Sequence, residues 1–152
     1  MTKREMLREL RKKGLGDEFK VNGKAFLVSE TVSYLEWPDR WFDLVHHQAD
    51  GLELVLEREG QEVSLWQQVI DVKLVHKKTV RYSAETYKFD EEESGVAETI
   101  LREMENGEEI TKDAKTPYDI FVAPSGRRLC REVWDGETYW YLSEPGEIKI
   151  SF

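Results

Sequence analysis

The sequence holds few cysteines, histidines and prolines, with one, three and four of them among 152 residues. A single cysteine, Cys130, cannot form an internal disulfide, and no charged and apolar leader opens the chain, so we expect a reducing, cytoplasmic location. No apolar run approaches the roughly 20 residues that a membrane-spanning helix needs. These absences argue against a disulfide-rich secreted domain and against a transmembrane segment.

Basic residues are also in the minority, with 22 Lys and Arg against 31 Asp and Glu, which gives a net charge of −9. An acidic chain repels nucleic-acid backbones unless a basic patch is set apart, so we expect no nucleic-acid partner. Hydrophobic residues nevertheless make up 39% of the sequence and aromatic residues 11%. This content excludes a disordered tail and fits one folded domain.

Catalytic and metal-binding patterns are missing too. His46 and His47 are adjacent, so they would take opposite faces of a strand and could not share a metal ion. The four carboxylates in residues 90–95 lack the interleaved glycine of a calcium loop, which predicts a solvated charged loop. We therefore expect no metal and no cofactor. Cys130 is the remaining candidate nucleophile, and a buried structural thiol is the commoner role for such a residue.

The sequence does contain strong β-strand signals, first in residues 33–69. Three strand-like segments follow one another there, separated by the turn signals Asp50-Gly51 and Glu59-Gly60. In the middle segment leucines alternate with other residues, which predicts one buried and one solvated face. The alternating residues are Leu52, Leu54 and Leu56. This pattern is typical of a β-meander.

Further strand signals flank that meander. An Asn22-Gly23 hairpin precedes it, and a second meander follows near the C-terminus. Residues 96–105 fit either a helix or a strand, and the β-rich context favours a strand. Alternation also continues to the last residue, which predicts pairing of the final segment. The second meander comprises Tyr118–Val122, Arg128–Trp134 and Thr138–Leu142.

Residues 2–13 carry the one clear helix signal, with Thr2 and Glu5 at the spacing of a capping box and Gly14 as a stop. The segment is basic and has a short apolar stripe. It could touch an anionic membrane surface, or it could lie on its own acidic domain. We favour the second interpretation because only three apolar residues line the stripe.

These signals together predict an all-β, mainly antiparallel fold with a short N-terminal helix. The two meanders would pack as a sandwich or as a partly open barrel. We expect the helix in residues 1–14 and a single β-rich domain in residues 15–152.

Aromatic residues are the best candidates for an interaction site, because exposed Trp and Arg side chains dominate interface hot spots. One group surrounds the Pro38 turn, and another lies in the second meander, where Tyr139 and Tyr141 share one face of a strand and Trp140 takes the other. Core filling is the alternative role for these rings. The candidate interaction residues are Trp37, Arg40, Trp41, Trp134 and Trp140.

The order of several segments is similar to that of a known family. An aromatic and acidic strand at Trp41–Asp43 precedes a glycine hairpin, Gly107-Glu108 follows, and a late strand at Leu129–Glu132 runs into Trp134 and Gly136. Over residues 21–150 the chain resembles the bacterial family catalogued as domain of unknown function 4178. Cys130 stands where that family usually has serine.

The resemblance implies a β-rich fold and no particular reaction. It also implies an accessory role near membrane-stress or polyamine-related systems. We therefore expect a non-enzymatic binding or protein-interaction domain, with a protein or small molecule as partner. The alternatives are a small hydrolase-like enzyme using a pocket near Cys130, and weak membrane-surface binding through the basic helix.

Overall fold

One helix and fourteen strands make up the described part of the chain, which comprises residues 1–37, 43–49, 51–57, 62–104, 109–110, 114–134 and 136–152. In this computed structural model the helix is α1 (Lys3–Lys12). The strands are β1 (Glu18–Val21), β2 (Lys24–Leu27), β3 (Glu30–Trp37), β4 (Asp43–Ala49), β5 (Leu52–Glu57), β6 (Glu62–Val69), β7 (Lys73–His76), β8 (Thr79–Tyr82), β9 (Glu85–Met104), β10 (Glu109–Ile110), β11 (Ala114–Val122), β12 (Arg128–Trp134), β13 (Glu137–Ser143) and β14 (Ile150–Ser151).

The predicted capping box begins helix α1. The Thr2 hydroxyl accepts a hydrogen bond from the Glu5 backbone N–H at 3.1 Å, and the Glu5 carboxylate accepts one from the Thr2 N–H at 3.1 Å. Leu7 and Leu10 are buried, and Met6 packs partly buried beside them. The apolar stripe of the helix therefore faces its own protein. No helix among the described residues is long and apolar enough to cross a membrane.

A small antiparallel sheet lies next to the helix, with the strand order β14-β1-β2. Asn22 and Gly23 have φ values of 51° and 80°, as the tight turn between β1 and β2 requires. The rings of Phe19 and Phe26 stack across these two strands at 5.3 Å. Ile150 pairs with Val21, so the predicted pairing of the final segment is confirmed.

The first hydrophobic core joins α1 and the small sheet to one face of β5 and β6. The predicted leucine face of β5 is part of it, because Leu54 and Leu56 are fully buried. Helix and strand side chains thus pack together in one hydrophobic cluster. The buried members are Leu7, Leu10, Phe19, Val21, Phe26, Val28, Leu54, Leu56, Leu65 and Ile148.

The large sheet contains eleven strands and holds both meanders. Strands β4 to β6 form the first, as predicted, and β3 extends it by pairing with β4. Strands β11 to β13 form the second. Strand β6 pairs with β13, so the meanders are joined edge to edge. Strand β9 joins them again, since it pairs with both β3 and β11. The predicted fold class is confirmed: the chain is mainly antiparallel β, with one short helix and two packed sheets.

Strand β9 settles the ambiguous segment, because residues 96–104 are strand and pair with β3. The prediction for residues 90–95 was wrong in part, since they belong to the same strand and form a bulge in it. Asp90 pairs with Ile120 and Gly95 with Tyr118. Residues 91–94 of β9 therefore lie opposite the single residue Asp119 of β11, and this mismatch forms the bulge. The Asp90 carboxylate accepts from the Glu92 N–H at 3.1 Å, which stabilises the bulge locally. The side chains of Glu91, Glu92 and Glu93 remain exposed, as predicted.

Three turn signals of the sequence, Asp50-Gly51, Glu59-Gly60 and Asp135-Gly136, lie partly or wholly outside the described residues. Residues 59 and 60 are not described, nor are Asp50 and Asp135. The glycines that follow the last two, Gly51 and Gly136, have φ values of 78° and 80°, which suits tight hairpin turns.

Candidate functional site

One face of the large sheet gathers aromatic, acidic and sulfur-containing side chains in three rows across β5, β6, β11, β12 and β13. We call this set the inner face. It follows from register, because residues paired across neighbouring strands point to the same side. The first row is Glu53, Trp66, Ser143 and Arg128, the second is Tyr141, Cys130 and Ile120, and the third is Tyr139, Glu132 and Tyr118.

The sheet bends so that these rows approach one another. Val32 of β3 and Val55 of β5 belong to the same buried cluster as Trp66, Ile120 and Cys130. These five residues come from five strands spread along one sheet. They can meet only if the sheet curves around the cluster. The inner face is thus the concave side of the large sheet.

Burial is lowest in the third row. In the first row Glu53 and Trp66 are only 6% and 7% exposed, whereas Tyr139, Glu132 and Tyr118 in the third row are half-buried. We call the first row the deep end of the site. It holds the Glu53 carboxylate away from water, which is unusual unless that group is paired or hydrogen-bonded. The third row is where a partner could reach phenol and carboxylate groups.

Arg128 connects the inner face to the acidic bulge of β9. Its guanidinium lies 5.2 Å from the centre of the Trp66 ring, and one of its nitrogens is 3.5 Å from the Glu93 carboxylate. The Trp66 indole N–H donates to the Ser64 hydroxyl at 2.9 Å. The Arg128 backbone N–H donates to the Ser143 hydroxyl at 3.0 Å. These contacts fix the deep end of the site and balance part of its negative charge.

The two ionisable side chains of the second row, Cys130 and Tyr141, are protonated at neutral pH. Burial, followed by the nearby carboxylates of Glu132 and Glu53, raises the pKa of the Cys130 thiol well above its ordinary value. Burial and then Glu53 raise the pKa of the Tyr141 phenol as well. Both groups therefore keep their protons near pH 7. A cysteine nucleophile needs the opposite, a lowered pKa that yields thiolate.

Three of the five predicted interaction residues, Trp37, Trp134 and Trp140, belong to the described part of the chain and lie in three different strands. Trp37 ends β3, where its backbone pairs with Val96, and Trp134 ends β12. Arg40 and Trp41 lie outside the described residues. Trp140 is half-buried on the opposite face from Tyr139 and Tyr141, as the alternation predicted.

Trp140 packs against a separate hydrophobic cluster on the side of the large sheet opposite the inner face. The buried members of that cluster are Val80, Tyr87, Phe121, Ala123, Leu129 and Leu142. Its ring centre lies 5.6 Å from that of Phe121, and the Arg131 guanidinium lies 5.5 Å from it. Arg131 in turn pairs with the Asp119 carboxylate at 2.8 Å. The contacts hold Trp140 in place beside a buried ring, so its surroundings match core filling at least as well as partner contact.

Sequence reasoning missed Glu53, Tyr118 and Glu132. The alternation in β5 predicted a solvated face opposite the leucines, but Glu53 and Val55 on that face are buried. The expectation was wrong because both faces of β5 are covered, one by α1 and the small sheet, the other by the curved sheet itself. A hint was present, since Val55 lies between two glutamates on the face that was expected to be wet.

Within the described ranges, no three or more His, Cys, Asp or Glu side chains are placed to hold a metal ion. The carboxylates of the inner face, those of Glu53 and Glu132, are hydrogen-bond acceptors when ionised.

The chain belongs to the family described as Domain of unknown function (DUF4178), whose family model matches residues 14–147. The resemblance seen in the sequence is thereby confirmed. No curated protein matches the chain, and no solved structure matches it.

Proposed function

We propose that this member of the family is a non-enzymatic binding domain whose ligand contacts the inner face. The observation that supports this most is the half-buried row of Tyr139, Glu132 and Tyr118 next to a thiol that stays protonated. Such a row offers hydrogen bonds and aromatic surface without an activated nucleophile. Binding sites need the former, and covalent catalysis needs the latter.

The hydrolase-like alternative depends on Cys130. A thiol that is 8% exposed, with two carboxylates raising its pKa, is a poor nucleophile at neutral pH. The membrane-surface alternative depends on the apolar stripe of α1, and Leu7 and Leu10 are buried in the protein core. Neither alternative gains support from the contacts of its key residues.

The chemistry of the inner face favours a ligand that carries a positive charge or several hydrogen-bond donors. Glu132 supplies a carboxylate that a ligand can reach, and the buried Glu53 lies behind it. Tyr118, Tyr139 and Tyr141 supply ring faces and phenol oxygens. Carboxylates and aromatic rings are the groups that bind organic cations best. An accessory role beside polyamine-related or membrane-stress systems, which the family resemblance implies, is part of this proposal. A cytoplasmic location, expected from the sequence, is also part of it.

The test is selective capture of small molecules. Immobilised wild-type protein is incubated with the low-molecular-weight fraction of a bacterial lysate, and retained compounds are identified by mass spectrometry. We expect enrichment of compounds with amine or guanidine groups, and loss of that enrichment in Glu132→Gln and Tyr139→Ala. Lys20→Gln is the matched control, because Lys20 is exposed on β1 of the small sheet, outside the inner face.

Two results would contradict the proposal. Equal retention by Glu132→Gln, Tyr139→Ala and wild type would place binding elsewhere. Conversion of a retained compound by the wild type, abolished in Cys130→Ala with the fold intact by circular dichroism, would instead identify an enzyme.

A further inference from the structure

Strand β7 is an exposed edge of the large sheet. It ends the strand order after β8, no other described strand pairs with it, and all four of its residues are exposed. Large apolar side chains lie in and beside it, namely Ile70 at 75% exposure, Leu74 at 64% and Val75 at 51%. An open strand edge with exposed apolar residues is a template for pairing with another chain.

The same edge carries positive charge in an acidic protein. Residues 70–84 contain four basic residues and one acidic residue, a net charge of +3, whereas the whole chain has −9. The basic residues are Lys73, Lys77, Lys78 and Arg81. Natural edge strands often use lysine to discourage pairing. Charge placed this way repels a basic strand and attracts an acidic one.

Register concentrates this charge on one face. Lys73 pairs directly with Arg81, and Lys88 of β9 lies on the same face, because its partner Thr79 is two residues from Arg81. All three side chains are exposed, and among the described carboxylates none forms an ion pair with them. Like charges directly opposite each other destabilise a strand pair. An anionic group beside Lys73 and Arg81 would relieve that repulsion.

We propose that β7 is the docking edge for an extended acidic segment of a partner protein, which adds as a further strand to the large sheet. Its backbone pairs with the open edge of β7. Its carboxylates lie beside Lys73 and Arg81, and its apolar residues lie on the other face beside Leu74. The fitting segment therefore alternates acidic and apolar residues over about four to six positions, the usual length of a strand.

The two faces of the hairpin favour a strand over an anionic membrane surface. Lys73 and Arg81 lie on one face, whereas Leu74 pairs with the buried Val80 on the other. A flat bilayer surface cannot contact the cations and Leu74 at once. An added strand reaches both, because its own side chains alternate between the faces.

Fluorescence anisotropy with a labelled peptide of alternating Glu and Val residues tests the proposal. We expect saturable binding by the wild type and none for the same peptide with Lys in place of Glu. Lys73→Glu/Arg81→Glu should weaken binding at least about tenfold, since two attractions become repulsions. Lys24→Glu/Lys149→Glu makes the same charge change at exposed positions near the small sheet, and should change affinity less than about twofold.

A backbone variant of the probe distinguishes strand addition from charge attraction alone. Methylating alternate peptide nitrogens on one edge of the peptide should abolish binding, and methylating the opposite edge should not, because only one edge faces β7. Equal loss in both charge-reversed variants, or no effect of either methylation, overturns the proposal. So does binding to phosphatidylserine vesicles in the absence of any peptide binding.

Discussion

Replacing Gly95 by alanine tests whether the ring of Tyr118, on the neighbouring strand, occupies the space that a side chain at position 95 would need. A Cβ added at Gly95 would lie 2.9 Å from the Tyr118 hydroxyl oxygen and 3.3 Å from its ring carbon Cζ. Gly95 and Tyr118 are direct partners in the β9–β11 pairing, and Gly95 does not adopt a positive φ. The three atoms nearest to that Cβ all belong to the Tyr118 side chain, so its phenol is the main obstacle to alanine.

Two opposing terms set the size of the effect. Alanine restricts the unfolded chain and, where the backbone permits it, stabilises by about 0.4–1 kcal/mol. Overpacking against Tyr118 costs about 1–3 kcal/mol. We expect Gly95→Ala to lower the free energy of unfolding by about 1 kcal/mol. In a Tyr118→Ala background the obstacle is absent, so the same substitution should stabilise by about 0.4–1 kcal/mol.

Urea unfolding of the four proteins, followed by tryptophan fluorescence, measures this double-mutant cycle. Tyr118→Phe gives an intermediate background, since it removes the oxygen at 2.9 Å and leaves the ring carbon at 3.3 Å. The change of sign is the decisive result. If Gly95→Ala destabilises equally with and without the Tyr118 side chain, the close approach is not what selects glycine here.

Two further predictions concern ionisable groups. Native protein should react with a thiol reagent at pH 8 far more slowly than urea-unfolded protein, because burial raises the pKa of Cys130, and equal rates would show an accessible thiolate instead. Burial, then a hydrogen bond to Glu85 at 3.0 Å, raises the pKa of Tyr87 to about 12. Between pH 10 and 12 the unfolded chain loses a proton that the folded chain keeps, so stability should fall as pH rises, by up to about 1.4 kcal/mol per pH unit for this group. Denaturation in that range should be less steep for Tyr87→Phe, and an unchanged slope would contradict the assignment.

Local sequence signals predicted the local structure well. The capping box of Thr2 and Glu5, the Asn22-Gly23 turn and the leucine alternation of β5 each involve residues close in sequence. Their physical causes act over one turn or one hairpin. They therefore appear in the sequence as short patterns.

The inner face could not be predicted in the same way. Glu53 is buried because the large sheet curves over it, and the curvature depends on pairings between distant segments. The bulge at residues 90–95 likewise follows from its pairing with β11, since Ser94 accepts a hydrogen bond from the Ile120 N–H at 2.9 Å. The sequence of the acidic run contains no pattern that predicts its pairing with β11. The predicted roles of Trp37, Trp134 and Trp140 stay predictions.

Two strand pairs join the meanders, β6–β13 and β3–β9, and we call them the seams. They have a consequence for the kinetics of folding. The hairpins within each meander close loops of a few residues, whereas the seams pair Tyr34 with Thr99 and Val69 with Trp140. The entropy of closing such long loops is lost before the contacts form, which slows folding in proteins rich in non-local pairings. The hairpins should form early and the seams late. Substitutions along β6–β13 and β3–β9 should then affect unfolding rates more than folding rates if the seams close after the transition state.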